Sequence, residues 1–188
     1  SLLASIRDNP KKVRGAVVRG SGGHLIAKLL LEASGIPQAN LNLVAYNGGG
    51  LARAAVAGHV VDFIIISAEG TEGIREYVRP LAIVSRERSA EWDAPTLTEA
   101  LATTDIEMPL LPGTIRGFAT STETKRRYPE RFKKLAEAIR TALADEKLIS
   151  MLDRVSIGGR WVGPDRSEET MRETFRIFAD YGYLLKQQ

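Results

Sequence analysis

Residues 15–34 read GAVVRGSGGHLIAKLLLEAS, and no other stretch limits the possible folds so sharply. A short apolar run, Ala16-Val17-Val18, stops at the small-residue cluster Gly20-Ser21-Gly22-Gly23. From His24 the period changes: Leu25, Ile26, Leu29, Leu30 and Ala33 recur at helical spacing. The segment predicts strand, tight loop and helix. In such a unit the loop amides and the positive end of the helix dipole face the same way, which suits a small anion. The same glycines also suit a turn that merely lets helix and strand pack closely. Taken alone, the segment leaves both readings open.

The loop is none of the familiar nucleotide fingerprints. A P-loop needs Gly-Lys-Ser/Thr where Gly23-His24-Leu25 stands, and a G-x-G-x-x-G begun at Gly20 would need glycine in place of Leu25. No G-x-S-x-G nucleophile elbow occurs either.

The same alternation runs on along the chain. Residues 1–9 read as a helix stopped at Asn9-Pro10. Val13–Val18 reads as a strand, 23–34 as a helix, Leu41–Tyr46 as a strand and 51–57 as a short helix ending at Gly58. Val60–Ile66 is an apolar run broken only by Asp62, as expected of a strand buried on both faces. A helix near 70–78, a strand Leu81–Val84 and a short helix Thr98–Ala102 follow, then an irregular stretch over 106–120. From Pro129 a long helix places Phe132, Leu135, Ile139 and Leu143 on one face, and a last helix starts at Ser167 as its N-cap. This order predicts an α/β fold, a mostly parallel sheet with helices on both faces. Ligands of such sheets sit beyond the carboxyl ends of the strands. The loops 20–24, 46–50 and 67–71 are then the ones to converge there, and that convergence favours an anion site over a packing turn.

Composition narrows the chemistry. Among 188 residues there is no cysteine, which excludes disulfides, thiolate catalysis and cysteine-based zinc sites. The two histidines, His24 and His59, are not in metal-ligand spacing, and no apolar run reaches the length of a membrane span. Net charge is +3, spread along the chain, with one local cluster at Lys125-Arg126-Arg127 that reads as a solvated helix entry. A nucleic-acid binder would show a sustained basic stripe with interleaved aromatics, so no nucleic-acid partner is expected. Nucleophilic catalysis would rest on Ser21 and His24 alone, with no third group to orient the base, so an enzyme is not expected. No cofactor is expected either.

The segments Gly20-Ser21-Gly22-Gly23-His24, Tyr46-Asn47-Gly48-Gly49-Gly50, Gly58 with Val61-Asp62, Arg79-Pro80-Leu81-Ala82-Ile83 and Ala94-Pro95-Thr96-Leu97-Thr98-Glu99 occur in a telling order. In that order and spacing they resemble the solute-binding receptors of the tripartite tricarboxylate transporters, and the resemblance covers nearly the whole chain. It implies a periplasmic protein of the type II periplasmic-binding fold, two lobes closing on a small carboxylate that is handed to membrane permease subunits. Residues 1–110 would be the second, ligand-binding lobe and 111–188 the carboxy-terminal return into a first lobe, whose amino-terminal part lies outside this sequence. The site implied is Ser21, Gly22, Gly23 and His24 on one wall and Tyr46, Asn47 and Gly48 on another, with Asp62 and Ser67 beneath. Members often carry a hydroxyl residue where Gly23 stands, and Ala68-Glu69-Gly70 brings an acidic side chain near the anion.

Individual residues keep two readings each. His24 could donate to a ligand or pack behind the loop. Asp62 must find partners, either a ligand or nearby amides. Tyr46 could wall the site or fill the core, and Gly48–Gly50 could be turn chemistry. The same lobes also serve regulators as ligand-sensing modules, an alternative use that involves no transport.

Overall fold

The computed structural model describes residues 1–111, 117–154 and 161–186. The chain divides into two compact units, Ser1–Thr114 with Thr174–Gln188, and Ile115–Glu173.

The first unit opens with α1 (Leu2–Asp8), whose first turn is capped by the Ser1 hydroxyl accepting from the Ala4 amide. β1 (Arg14–Val18) leads into α2 (Gly22–Ala33), β2 (Asn42–Tyr46), α3 (Gly49–Ala57) and β3 (Phe63–Ile65). The three strands form one parallel sheet in the order β2-β1-β3, with Gly15 opposite both Leu43 and Phe63. The chain steps from β1 to one neighbour through α2, then crosses back over β1 through α3. Right-handed crossovers in opposite directions place the two helices on opposite faces.

The side chains bear this out with the two-residue period of a strand. Leu43, Phe63 and Ile65 pack with Ile6 of α1 and Leu31 of α2. Ala16, Val44, Tyr46, Ile64 and Ile66 pack with Ala52, Ala55 and Val56 of α3. On α2, Leu25, Ile26 and Leu29 also receive the closing segment of the chain, where Ile177, Phe178, Tyr181 and Leu184 gather. There the Tyr183 hydroxyl donates to Glu32 at 2.7 Å.

Several expectations need correction. The Val60–Ile66 run gives only the three residues of β3, and Val60 is 59% exposed. The amides of Val60 and Val61 both turn back to the Ala55 carbonyl, so they finish α3 instead of extending the strand. Leu81–Val84 is no strand either. Ile83 makes a lone parallel bridge to Thr96, its amide donating to Pro95 and its carbonyl accepting from Leu97, so its hydrogen bonds are spent beside α4 (Leu97–Leu101). The 70–78 segment is a 3-10 helix, Glu72–Tyr77. In the 106–120 stretch, residues 112–116 lie outside the described residues, and the remainder has no regular structure.

Trp92 is buried in a loop, with the Arg75 guanidinium 4.4 Å from its ring centroid.

The second unit is helical: α5 (Thr122–Arg127), α6 (Pro129–Ala142), α7 (Glu146–Arg154) and α8 (Pro164–Tyr181), whose turns from Thr174 onward belong to the first unit. The 125–127 cluster is the last turn of α5, not the entry to the next helix, and basic residues there suit the helix dipole. The long helix expected from Pro129 is α6, which ends at its C-cap Leu143, and Asp145 then caps α7 by accepting from the Lys147 and Leu148 amides. The last helix starts three residues earlier than expected. Pro164 opens it, as proline readily does in a first turn, and the Ser167 hydroxyl donates to the Gly163 carbonyl from inside that turn. None of the described residues over 117–154 and 161–173 is buried.

Candidate functional site

Parallel strands in register bring their carboxyl ends to one edge. Val18 lies opposite Tyr46, and Val17 opposite Ile65, so the chain leaves all three strands on the same side. Ser21, Gly22, Gly23, His24, Tyr46, Asn47, Gly48 and Ser67 therefore sit along one edge of the sheet. The chain leaves β1 toward α2 and leaves β3 toward the α3 face, so the connections part at the point where the strand order reverses.

Asp62 does not join them. It precedes β3, beside Arg14 at the start of β1, about 10 Å from the carboxyl edge at the usual strand rise. Its carboxylate accepts from the Arg14 amide at 2.7 Å and from the Arg14 guanidinium at 2.7 Å. The Arg14 side chain, then the Arg14 amide, hold the Asp62 carboxyl below its ordinary range. The partner that the sequence demanded of Asp62 is thus Arg14. The expectation that Asp62 lies beneath a ligand is corrected: a parallel strand puts its first and last residues at opposite edges.

The 20–24 turn is held by its own atoms. Gly20 takes φ +67°, a backbone that residues with a Cβ seldom adopt. The Ser21 amide donates to the Val18 carbonyl, and the Ser21 hydroxyl oxygen accepts from the His24 amide as the N-cap of α2. His24 Nδ1 accepts from the Gly20 amide at 3.2 Å. The neutral ring then carries its proton on Nε2, and Nδ1 is not available as a base for Ser21. Among the described residues the Gly22 and Gly23 amides, in the first turn of α2, have no acceptor, as helix geometry requires of first-turn donors. Gly23 is glycine for a reason unrelated to ligands: a Cβ there would run into the Ile65 carbonyl oxygen of β3. A hydroxyl residue at this position is incompatible with how closely α2 approaches the sheet.

Positive charge surrounds this turn. Burial first, then Lys28 and Arg19, push the His24 imidazole below its ordinary value. Lys28, one turn along α2, is 9% exposed, and its own burial lowers it as well. Arg19 continues from β1 and donates to the Ala45 carbonyl at 3.3 Å, reaching across to the end of β2. Neither Arg19 nor Lys28 stood out in the sequence, although Lys28 lies four residues after His24 on the helix.

The second loop leaves Tyr46 half-buried and packed against the core cluster on the α3 face. Asn47 is exposed. Gly48 is the N-cap of α3 in extended backbone and offers no side-chain cap. In the third loop the Ser67 carbonyl accepts from Arg53 of α3 at 3.2 Å and from the Thr71 hydroxyl at 3.0 Å.

Chemically, the edge brings half-buried first-turn amides together with the exposed Arg19, and Lys28 adds charge from a buried position, which fits a small anion. Among the described residues no cluster of three metal-ligating His, Asp or Glu side chains forms. Two surface clefts lie elsewhere. One of about 550 Å³ is bounded by Arg86–Arg88 and Thr96–Glu99, and the other, of about 400 Å³, by α1, Ser34 and Thr104–Ile106. No helix among the described residues is long and apolar enough to cross a membrane.

Comparison with known protein families, with curated proteins and with solved structures finds no match to this chain.

Proposed function

We propose that this chain is a portion of an extracytoplasmic solute receptor of the tripartite tricarboxylate transporter type. In this reading it has the type II periplasmic-binding fold, resides in the periplasm, binds a small carboxylate and delivers it to the membrane permease. The resemblance of its five ordered segments to those receptors motivates the reading. The observation that carries it is the carboxyl edge of the sheet. There the half-buried first turn of α2, with the Gly22 and Gly23 amides and the Ser21 hydroxyl, lies beside Arg19, His24 and Lys28. A carboxylate there accepts charge-assisted bonds from first-turn amides, and nearby cations favour its approach. Asp62 is left out of the site, and Tyr46 supports the wall from within.

A thermal-shift screen tests this, using mono-, di- and tricarboxylates and acidic amino acids. A ligand at a hundred times its dissociation constant should stabilise the protein by about 2.7 kcal/mol. One selective hit is the expected result. A flat response across the whole panel would sink the carboxylate reading.

A further inference from the structure

The 46–50 and 67–71 loops leave neighbouring parts of the sheet edge, yet nothing in the strand pairing couples them, because β2 and β3 flank β1 and do not touch as strands. Arg53 spans the gap with hydrogen bonds. It stands in the second turn of α3, the helix that the 46–50 loop opens. Its Nε donates to the Thr71 hydroxyl at 3.0 Å, and its NH2 group donates to the Ser67 carbonyl at 3.2 Å and the Glu69 carbonyl at 2.7 Å. Thr71 is buried, and its hydroxyl in turn donates a hydrogen bond to the Ser67 carbonyl at 3.0 Å, which closes a ring of bonds around the guanidinium. At the other end the guanidinium lies against the first turn of α3. A Cβ built on Gly49 would come within 2.8 Å of its NH1. Gly70, at φ +77°, lets the third loop fold close around the same group, 3.4 Å from a Cβ built there.

Only a planar fork with several fixed donors satisfies two carbonyls and a hydroxyl in this arrangement, and lysine, a single flexible donor point, does not. Glycine at both contact points gives that fork its room. We infer that Arg53 is a positioning residue that joins the Gly48–Gly50 turn to the Ser67–Thr71 loop, so that the two form one wall of the carboxylate site. A displacement of one loop is then felt at the other through the guanidinium. The inference depends on the proposed function only for what the wall contacts; the coupling is a property of the fold.

A four-way comparison of amide chemical shifts tests the coupling with no ligand present, using wild type, Gly49→Ala, Arg53→Ala and the double variant. Gly49→Ala pushes on NH1, so in wild type it should move the Ser67–Thr71 amides. In the Arg53→Ala background the same substitution should leave them still. The methyl group of Ile66 is also near Gly49, at 3.2 Å from a Cβ there, and offers a competing route. Shifts that persist without Arg53 would assign the coupling to Ile66 and overturn the inference, as would an absence of shifts in wild type. Arg53→Lys serves in the same cycle if the alanine variant does not fold, with the same expectation, since lysine lacks the fork. With a carboxylate that the screen has identified, Arg53→Ala should weaken binding about tenfold, and equal affinity would also overturn the inference. A screen without hits bears on the proposed function alone, since the shift comparison needs no ligand.

Discussion

At the scale of single residues, His24 and Asp62 show how the same kind of signal can lead to different ends of a sheet. His24 follows a glycine-rich loop and Asp62 breaks an apolar run, and both were candidates for a ligand. His24 stays at the carboxyl edge, because it belongs to the first turn of α2 and that turn is local to β1. Asp62 goes to the opposite edge, because its partner Arg14 lies 48 residues away and only strand register brings the two together. Each has its own acid response. The His24 imidazole is held below its ordinary value of 6.5, so the unfolded chain binds its proton more readily than the folded one. Its contribution is complete above about pH 6.5 and is lost as pH falls from there through the folded value. Protonation also takes Nδ1 away from the Gly20 amide. Urea denaturation at several pH values should show stability falling below about pH 6.5, and His24→Gln should remove that part of the slope. An identical slope in the variant would mean that another group titrates. Asp62, held below its ordinary 3.8, behaves in the same direction at lower pH, so its loss sets in only once pH drops toward and beneath that value.

Among the elements, α2 carries most of the proposed chemistry and gives the sharpest test of it. Ser21 was expected to meet a ligand, and the structure also makes it the N-cap of a twelve-residue helix. Ser21→Ala therefore loses the cap as well as the hydroxyl, at about 1 kcal/mol of stability. Ser21→Asp separates the two roles. Aspartate caps as well as serine, so chemical denaturation should find stability close to wild type. Its negative charge at the helix start should abolish the carboxylate response in the thermal-shift screen. A Ser21→Asp protein that still binds the carboxylate would place the ligand elsewhere. The structure makes Ser1, Ser21 and Thr96 N-caps, each beside a run of helical period, although only Ser167 stood out as a cap in the sequence. Helix ends and short strands were also hard to read. The Val60–Ile66 run carried the right hydrophobicity for a strand, but its first two amides are drawn to Ala55 by the closing turn of α3. The Ser167 cap failed because Pro164, three residues earlier, was already able to begin the helix.

At the scale of the whole molecule, the two units differ in what holds them. The first has a sheet with buried residues on both faces, while the described part of Ile115–Glu173 has no buried residue at all. Local stability follows buried apolar contact, so helical amides of α5 and α6 should exchange with deuterium well before those of α2. Equal protection of α6 and α2 would mean that the second unit has a core of its own. The sequence by itself determined the α/β alternation, the mostly parallel sheet and the glycine-rich exits at the carboxyl ends of its strands. Those features follow from period and turn chemistry, which act over a few residues. Only the tertiary structure decided that Asp62 pairs with Arg14 and that Gly23 is required by the Ile65 carbonyl. It alone also set Arg53 between two loops and packed the half-buried Tyr46 against the α3 face. Each of these depends on register and close approach between segments far apart in the chain, and no local pattern encodes which distant group a side chain will meet.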